Sequence, residues 1–422
     1  MHSDTPNKQR KATRFPPSAL VKLAARNAIR HKGRAATTLA AISFGVAVLV
    51  LSRGFVEDIF VQLAEAIIHS QSGHIQLSKV GYFAHGAHQP HKYLIVDPEG
   101  DKRRIVSLPE VADVMARLSF SGLLNNGRAD YSILAEGIEP DSEAALGTFL
   151  ELSAGRRLAR EDRYGILVGQ GVAESLTLKP GDRAVLVVNT AEGAMNTLDV
   201  EVIGVFRSFS KEYDNRAIKI PLSAAQEALN TKGANTLVVS LKNTADTDRV
   251  VSQLTERTVW RDQEVKGWQD LNDFYPKTVE LYRRQFGGLQ LIVLVMVLLS
   301  VVNAVNMSVF ERMGEFGTAR ALGNRGFHVF EIIVLENILM GLVGATVGIV
   351  LGVLVAYGVS KIGISMPPPP NSDLGYRAYI RISANALVSS FLIGLAATVL
   401  AALPPAMKMA RMPIAEALRH SI

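Results

Sequence analysis

The sequence has 422 residues, 48% of them hydrophobic and 20% charged, with a formal net charge of +6 and no cysteine. Without thiols it can form no disulfide, run no thiol redox chemistry and build no thiolate metal site. Its longest polar stretch, residues 57–284, holds 26 basic against 32 acidic side chains, which excludes a strongly basic nucleic-acid-binding domain.

Residues 1–17 are polar and basic and close on Pro16 and Pro17. From Ser18, a candidate N-cap, "ALVKLAARNAIRHKGR" reads as a helix with Lys22, Arg26 and Arg30 at i, i+4 and i+8. That basic stripe suits a helix lying in a membrane interface or a solvated extension of the next segment. Four windows then lack Asp, Glu, Lys, Arg and His: 35–52, 285–310, 337–360 and 382–407. A crossing helix needs about 20 apolar residues for roughly 30 Å of hydrocarbon. The last three windows suffice, and the first does so if Arg53 snorkels. The first could instead be a signal-peptide core, but "LSRGFVEDIF" has no small-x-small cleavage site, so a retained span is expected.

Residues 1–34 hold nine basic side chains and one acid. The positive-inside rule therefore places the N-terminus in the cytoplasm, and 311–336 and 408–422 with it. The expected fold class is a polytopic α-helical membrane protein with four transmembrane helices, one plus three, and a large mixed α/β extracytoplasmic domain between the first and second. The expected boundaries are a cytoplasmic N-terminus at 1–34 and a first span at 35–56. The α/β domain follows at 57–284 and a second span at 285–310. A cytoplasmic helical segment occupies 311–336, a third span 337–360, an outside connector 361–381, a fourth span 382–407 and a cytoplasmic tail 408–422. Pro404 and Pro405 should bend or stop the fourth helix.

Within 57–284, "YGILVGQGVAESLTLKPGDRAVLVV" predicts strand, short helix, turn and strand. "LDVEVIGVF" alternates as a half-buried strand does, and "PLSAAQEAL" predicts a helix with Ser223 near its start. Gly165, Gly169 and Gly171 depart from the dinucleotide spacing and read as turn glycines. His74, His85, His88 and His91 fit no tetrahedral ligand spacing, so no metal is assigned and an ordinary polar loop is expected. No nucleophile-base or paired-carboxylate constellation stands out, and no enzyme activity is expected.

Among the spans, Asn303 and Asn306 should hydrogen-bond a neighbouring helix. Gly344, Gly348 and Gly352 form a double G-x-x-x-G that permits close packing, within the subunit or across a dimer. Glu336 is expected to pair with Arg325 or the basic N-terminal helix.

The segment "ERMGEFGTARALGNRG", 311–326, interrupts two oily stretches with charge and helical patterning. Glu311 and Glu315 stand at i, i+4, Arg312 shares a face with Glu315, and Gly323 is placed as a C-cap. By spacing alone it is either a docking helix or a solvated hairpin. With "NAVNMSV" before it, the terminal Pro413, Glu416, Ala417, Leu418 and Arg419, and "LAARNAIRHKGRAATTLAAISFGVAVLV", the chain resembles the FtsX-like permease family of ABC transporters, which has MacB-type and lipoprotein-releasing members.

The resemblance implies that the 311–326 helix couples to an ATPase dimer through Glu311, Arg312, Glu315, Phe316, Arg320 and Gly323. No G-x-x-x-x-G-K-[ST] occurs in this sequence, so ATP and Mg would be bound by a separate ATPase subunit and the chain itself would hold no cofactor. It further implies a second permease subunit (a homo- or heterodimer) in a bacterial inner membrane, and motion of the periplasmic domain driven by ATP hydrolysis. A periplasmic adaptor or cargo acceptor is a further candidate partner. A lipidated or amphipathic cargo is expected, with the lipoprotein-releasing branch favoured. The alternatives are a regulator of a periplasmic cell-wall hydrolase without transport, and a membrane sensor without an ATPase.

Overall fold

The computed structural model describes residues 32–86, 90–190, 192–256, 262–272, 274–368 and 375–419. Lys22, Arg26 and Arg30 of the basic stripe, His88, and Pro369 and Pro370 lie outside the described residues. The chain divides into two compact units. One draws on Met1–Asp58, Tyr282–Ile364 and Ala378–Ile422, the other on Ile59–Leu281 and Ser365–Arg377.

The helical unit is built from α1 (Lys32–Ile67), α7 (Phe274–Glu311), α9 (Gly326–Ile362) and α10 (Ala384–Arg411). These are the four helices among the described residues long and apolar enough to cross a membrane. All outrun their charge-free windows. At about 1.5 Å per residue the 36 residues of α1 extend well past a 30 Å hydrocarbon layer. Its last turns, from Ile59, and the first turns of α7, to Leu281, belong to the other unit. α1 runs unbroken to Ile67 and into a π-turn, Ile68–Ser72.

Small residues make the helix contacts. A Cβ on Gly344 would lie 2.8 Å from Ile42, and one on Gly348 2.6 Å from the Ser43 carbonyl. Gly352 sits against Val50 and Ala47, and Ser43 Oγ donates to the Gly344 carbonyl at 3.0 Å. The double G-x-x-x-G therefore packs on α1 of the same subunit. On α10, Gly394 meets Val46 in the same way. Pro404 and Pro405 do not end α10, which continues to Arg411. Burial of Pro405, Ala406 and Met409 carries its packed face past the two missing donors.

The α/β unit carries, among the described residues, a ten-stranded sheet in the order β10-β1-β9-β2-β3-β8-β5-β7-β4, with β6 pairing both β2 and β7. Its strands are β1 (Ile75–Lys79), β2 (Val111–Asn125), β3 (Asp130–Ile138), β4 (Glu151–Gly155), β5 (Gly165–Gly169), β6 (Arg183–Asn189), β7 (Met195–Arg207), β8 (Ala217–Pro221), β9 (Thr236–Leu241) and β10 (Gln263–Gly267). β3 with β8 and β5 with β7 run parallel, and the other pairs antiparallel.

The fifteen-residue β2 serves two lobes. Its first half pairs with β9 as far as Arg117–Thr236, and its second half with β3 from Leu118–Gly137. Lobe A packs Ile75, Leu77, Val114, Leu237 and Val239 under α2 (Pro98–Val106) and α6 (Thr247–Glu256). Lobe B packs Leu124, Ile133, Ile166, Leu186 and Ile218 under α4 (Gln170–Leu176) and α5 (Leu222–Leu229). Between them the chain adds α3 (Pro140–Leu146).

The predicted strand–helix–turn–strand run is present as β5, α4, the turn at Gly181 and β6, and "PLSAAQEAL" forms α5. The three glycines are not turn glycines. They lie in β5 and at the start of α4, where a Cβ on Gly169 would be 2.2 Å from the Asp214 carbonyl and one on Gly171 2.1 Å from Asn215. The need there is close approach of two backbones.

Candidate functional site

The segment between the second and third spanning helices is two pieces, not one long helix. α7 ends at Glu311, Arg312 breaks the path with φ −103° and ψ 13°, and α8 (Met313–Ala321) follows. α9 already begins at Gly326. α8 ends in a Schellman motif: the Asn324 N–H reaches the Ala319 carbonyl at 3.1 Å and the Gly323 N–H the Arg320 carbonyl at 3.0 Å. Gly323 has φ +101°, a conformation that glycine adopts at no steric cost.

Three devices hold α8 in place. The buried Arg312 donates from Nη1 to both oxygens of Glu336 at 3.0 and 2.7 Å, and from Nε to Glu315 at 3.3 Å. Its guanidinium also lies 5.0 Å from the centre of the Phe316 ring. Glu336 thus pairs with Arg312, not with Arg325, because the break at 312 turns that side chain back toward α9. Second, Arg320 Nη1 donates to the Met412 carbonyl. Third, Gly317 lets α8 approach α11 (Ile414–Arg419), where a Cβ would stand 3.0 Å from that of the fully buried Ala417. Pro413 opens α11 by accepting from the Ala417 N–H at 3.1 Å, Glu416 is exposed, and Leu418 and Arg419 occupy its last turn.

The six residues expected at a partner surface therefore separate. Arg312 and Phe316 are buried in the unit's own core, and Arg320 is half-buried against the Met412 carbonyl, between α10 and α11. Glu311, Glu315 and Gly323 face outward, joined by Thr318 and by Leu322, which is 90% exposed. Glu315, Thr318 and Leu322 stand at i, i+3 and i+7 along α8 and its C-cap, one outward face, whereas Glu311 lies across the break on the last turn of α7. Thr318 carries no charge, and only its spacing from Glu315 and Leu322 marks it as part of that face.

On α7, Asn303 is exposed and Asn306 half-buried. Asn303 interrupts an outward apolar stripe of Ile292, Met296, Leu299, Met307 and Phe310. Among the described residues His85 and His91 are exposed, whereas His74 is buried. His74 Nδ1 accepts from the Leu241 N–H at 3.2 Å, and its Nε2 lies 3.1 Å from Thr244 Oγ1. Burial, and then the His69 charge, hold its pKa down to about 4.

Residues 35–257 match the family described as MacB-like periplasmic core domain, and residues 288–414 the FtsX-like permease C-terminal family. The lipoprotein-releasing system transmembrane protein LolE of Haemophilus influenzae is 22% identical over 271 residues, 61% of this chain and 64% of that protein. LolC of Neisseria meningitidis, of the same system, is 22% identical across 91% of this chain and 93% of its own length. The macrolide export ATP-binding/permease protein MacB of Rhodopseudomonas palustris is 23% identical over 69% of this chain, which spans 44% of that protein. The chain thus spans less than two thirds of the LolE and MacB relatives.

Proposed function

The chain belongs to the FtsX-like permease family and to the MacB-like periplasmic core domain family, and from that premise we propose that a separate ATPase docks on the outward stripe of α8 and drives the α/β domain. The chain is a permease component of the ABC-transporter kind, with four helices that fit a multi-pass inner-membrane protein. The observation that carries the proposal is the bracing of α8. Arg312–Glu336, Arg320–Met412 and Gly317–Ala417 fix this short helix on three sides and leave Glu311, Glu315, Thr318 and Leu322 outward. A push on that stripe passes into α7, α9 and α11 without being absorbed by a loose loop. Arg312, Phe316 and Arg320 support the docking face from behind it.

In this reading ATP and Mg sit in the partner, α8 and both termini are cytoplasmic, and the α/β domain is periplasmic. A second permease subunit covers the α7 stripe, since an amide such as Asn303 in hydrocarbon calls for a hydrogen-bond partner on another helix. The names of the relatives favour a lipidated or amphipathic cargo, lipoprotein release ahead of drug export. The spans' charge-free windows accord with work delivered by the outer domain and not through a polar channel.

Co-purification tests this. The parent chain should bring down a nucleotide-binding protein, and Glu315→Lys with Leu322→Asp should weaken that association at least tenfold, about 1.4 kcal/mol. If no ATPase accompanies the parent, or the double variant binds it equally well, the docking face is wrong. Glu315→Cys, in a chain with no native thiol, should resist a membrane-impermeant maleimide in intact cells. Labelling from outside would overturn the topology. Purified complex that captures a cell-wall hydrolase and no lipid-bearing cargo would turn the function from transport to regulation.

A further inference from the structure

Lobe B of the α/β unit has no direct covalent link to the end of α1. The π-turn Ile68–Ser72 leads through Gly73 into β1, a lobe A strand. Two sets of contacts nonetheless tie that turn to α3, between the lobes, and Glu143 of α3 in turn pairs with Lys219 of β8 in lobe B. Arg117, at the residue where β2 changes partner from β9 to β3, donates from Nη1 to the Gln71 carbonyl at 2.5 Å and from Nη2 to Glu143 on α3 at 3.1 Å. His69 Nδ1 donates to the Leu146 carbonyl at the end of the same α3 at 2.9 Å, and its ring stacks on Phe149.

Behind Arg117 lies a closed charge cluster. Lys219 of β8, with no exposure, pairs with Glu143 and stands 3.5 Å from Glu136 of β3, which accepts from Tyr213 at 2.9 Å. Two cations and two carboxylates are balanced there. Burial opposes the charge on Glu143, yet Lys219 and Arg117 hold its pKa down to about 2. Buried ion pairs seldom stabilise a fold more than well-packed apolar groups would. Stability therefore does not account for one placed where a turn, two lobes and a helix meet, with Arg117 Nε left without an acceptor among the described residues.

We propose that Arg117 is the positioning residue that clamps the end of α1 to lobe B through α3, so that displacement of the helix moves both lobes together. The inference rests on the reading that an ATPase drives the outer domain. Its direct content is a mechanical link, and that link exists with or without nucleotide. Arg117→Met alone would leave an unbalanced carboxylate in the core, so the test variant is Arg117→Met with Glu143→Gln, which keeps Lys219 opposite Glu136.

The chain has no cysteine, so spin labels can be placed at Ser252→Cys on α6 of lobe A and Ser175→Cys on α4 of lobe B, both exposed. The distance between them is measured by pulsed electron resonance in the full complex, without nucleotide and after trapping with ATP and vanadate. With Arg117 present, the distribution should be narrow and the same in both states. In the double variant it should broaden without nucleotide and shift further on trapping, while the unfolding midpoint and basal ATPase rate stay within about twofold. Arg117→Lys, which keeps the charge and one donor, should recover part of the narrowness. A double variant as narrow as the parent without nucleotide overturns the clamp. Broadening there without a further shift on trapping upholds the clamp and counts against ATP-driven motion.

Discussion

The two units of this chain solve the packing problem in opposite ways. The α/β unit buries large apolar side chains such as Leu124, Ile133, Ile166, Leu186 and Ile218 in its core. In the helical unit Gly344, Ala345, Gly348 and Ala402 are buried, while Val350, Leu354, Val388 and Leu400 are exposed. Water expels large apolar side chains into a core. Lipid does not, so helices associate where small residues let backbones approach closely. An exposed large apolar side chain therefore means something different in the helical unit, although Ile42, Val46, Val50 and Val301 are buried there as well.

The most damaging substitution should fall in the α/β unit, where charge is most deeply buried. Lys219→Met leaves Glu136 and Glu143 facing Arg117 alone and should cost about 3–5 kcal/mol in denaturant unfolding. Acid should come next. The folded-state pKa of His74, about 4, lies below the ordinary 6.5. The stability it contributes is complete above pH 6.5 and is lost as pH falls toward 4, on the order of 3 kcal/mol across that interval. Thermal unfolding of the full chain between pH 7 and 4 should show this slope, and His74→Gln should flatten it.

In the helical unit Gly348→Leu should cost about 1–3 kcal/mol, because its Cβ meets Ser43 and Val46. The adjacent Val347→Leu, on an exposed face, should leave the detergent melting temperature unchanged. If the two behave alike, α9 does not pack on α1 as described. The smallest effect belongs to Leu354→Ala. A buried leucine in lobe B would lose about 2–5 kcal/mol on the same change. Here, at 62% exposure, the loss should be below about 0.5 kcal/mol. A large loss would mean that Leu354 is covered in the assembled complex.

Much of this was legible in the residues. Charge-free windows located four spans, and period-two alternation with a Lys-Pro-Gly-Asp turn located β5 through β7. The signature at 311–326 pointed to the family and to the segment proposed for docking. What escaped followed from non-local geometry. Gly169 looked like a turn glycine because its neighbour, the Asp214 backbone, is 45 residues away in sequence. Arg312 looked like a surface contact because nothing local marks the break that folds it onto Glu336. The Arg117 cluster was invisible, since its members come from β2, β3, α3 and β8.

Taken alone, the sequence determined which segments can enter hydrocarbon, which form strands and which short helix interrupts the oil, because hydropathy, periodicity and capping act over a few residues. Only the tertiary structure decided which face of α8 is free, that the α9 glycines serve α1 of the same subunit, and that three buried charges and the half-buried Glu136 meet where β2 changes partner. Those outcomes depend on which distant groups come within a few ångströms of one another, and spacing along a chain does not encode that.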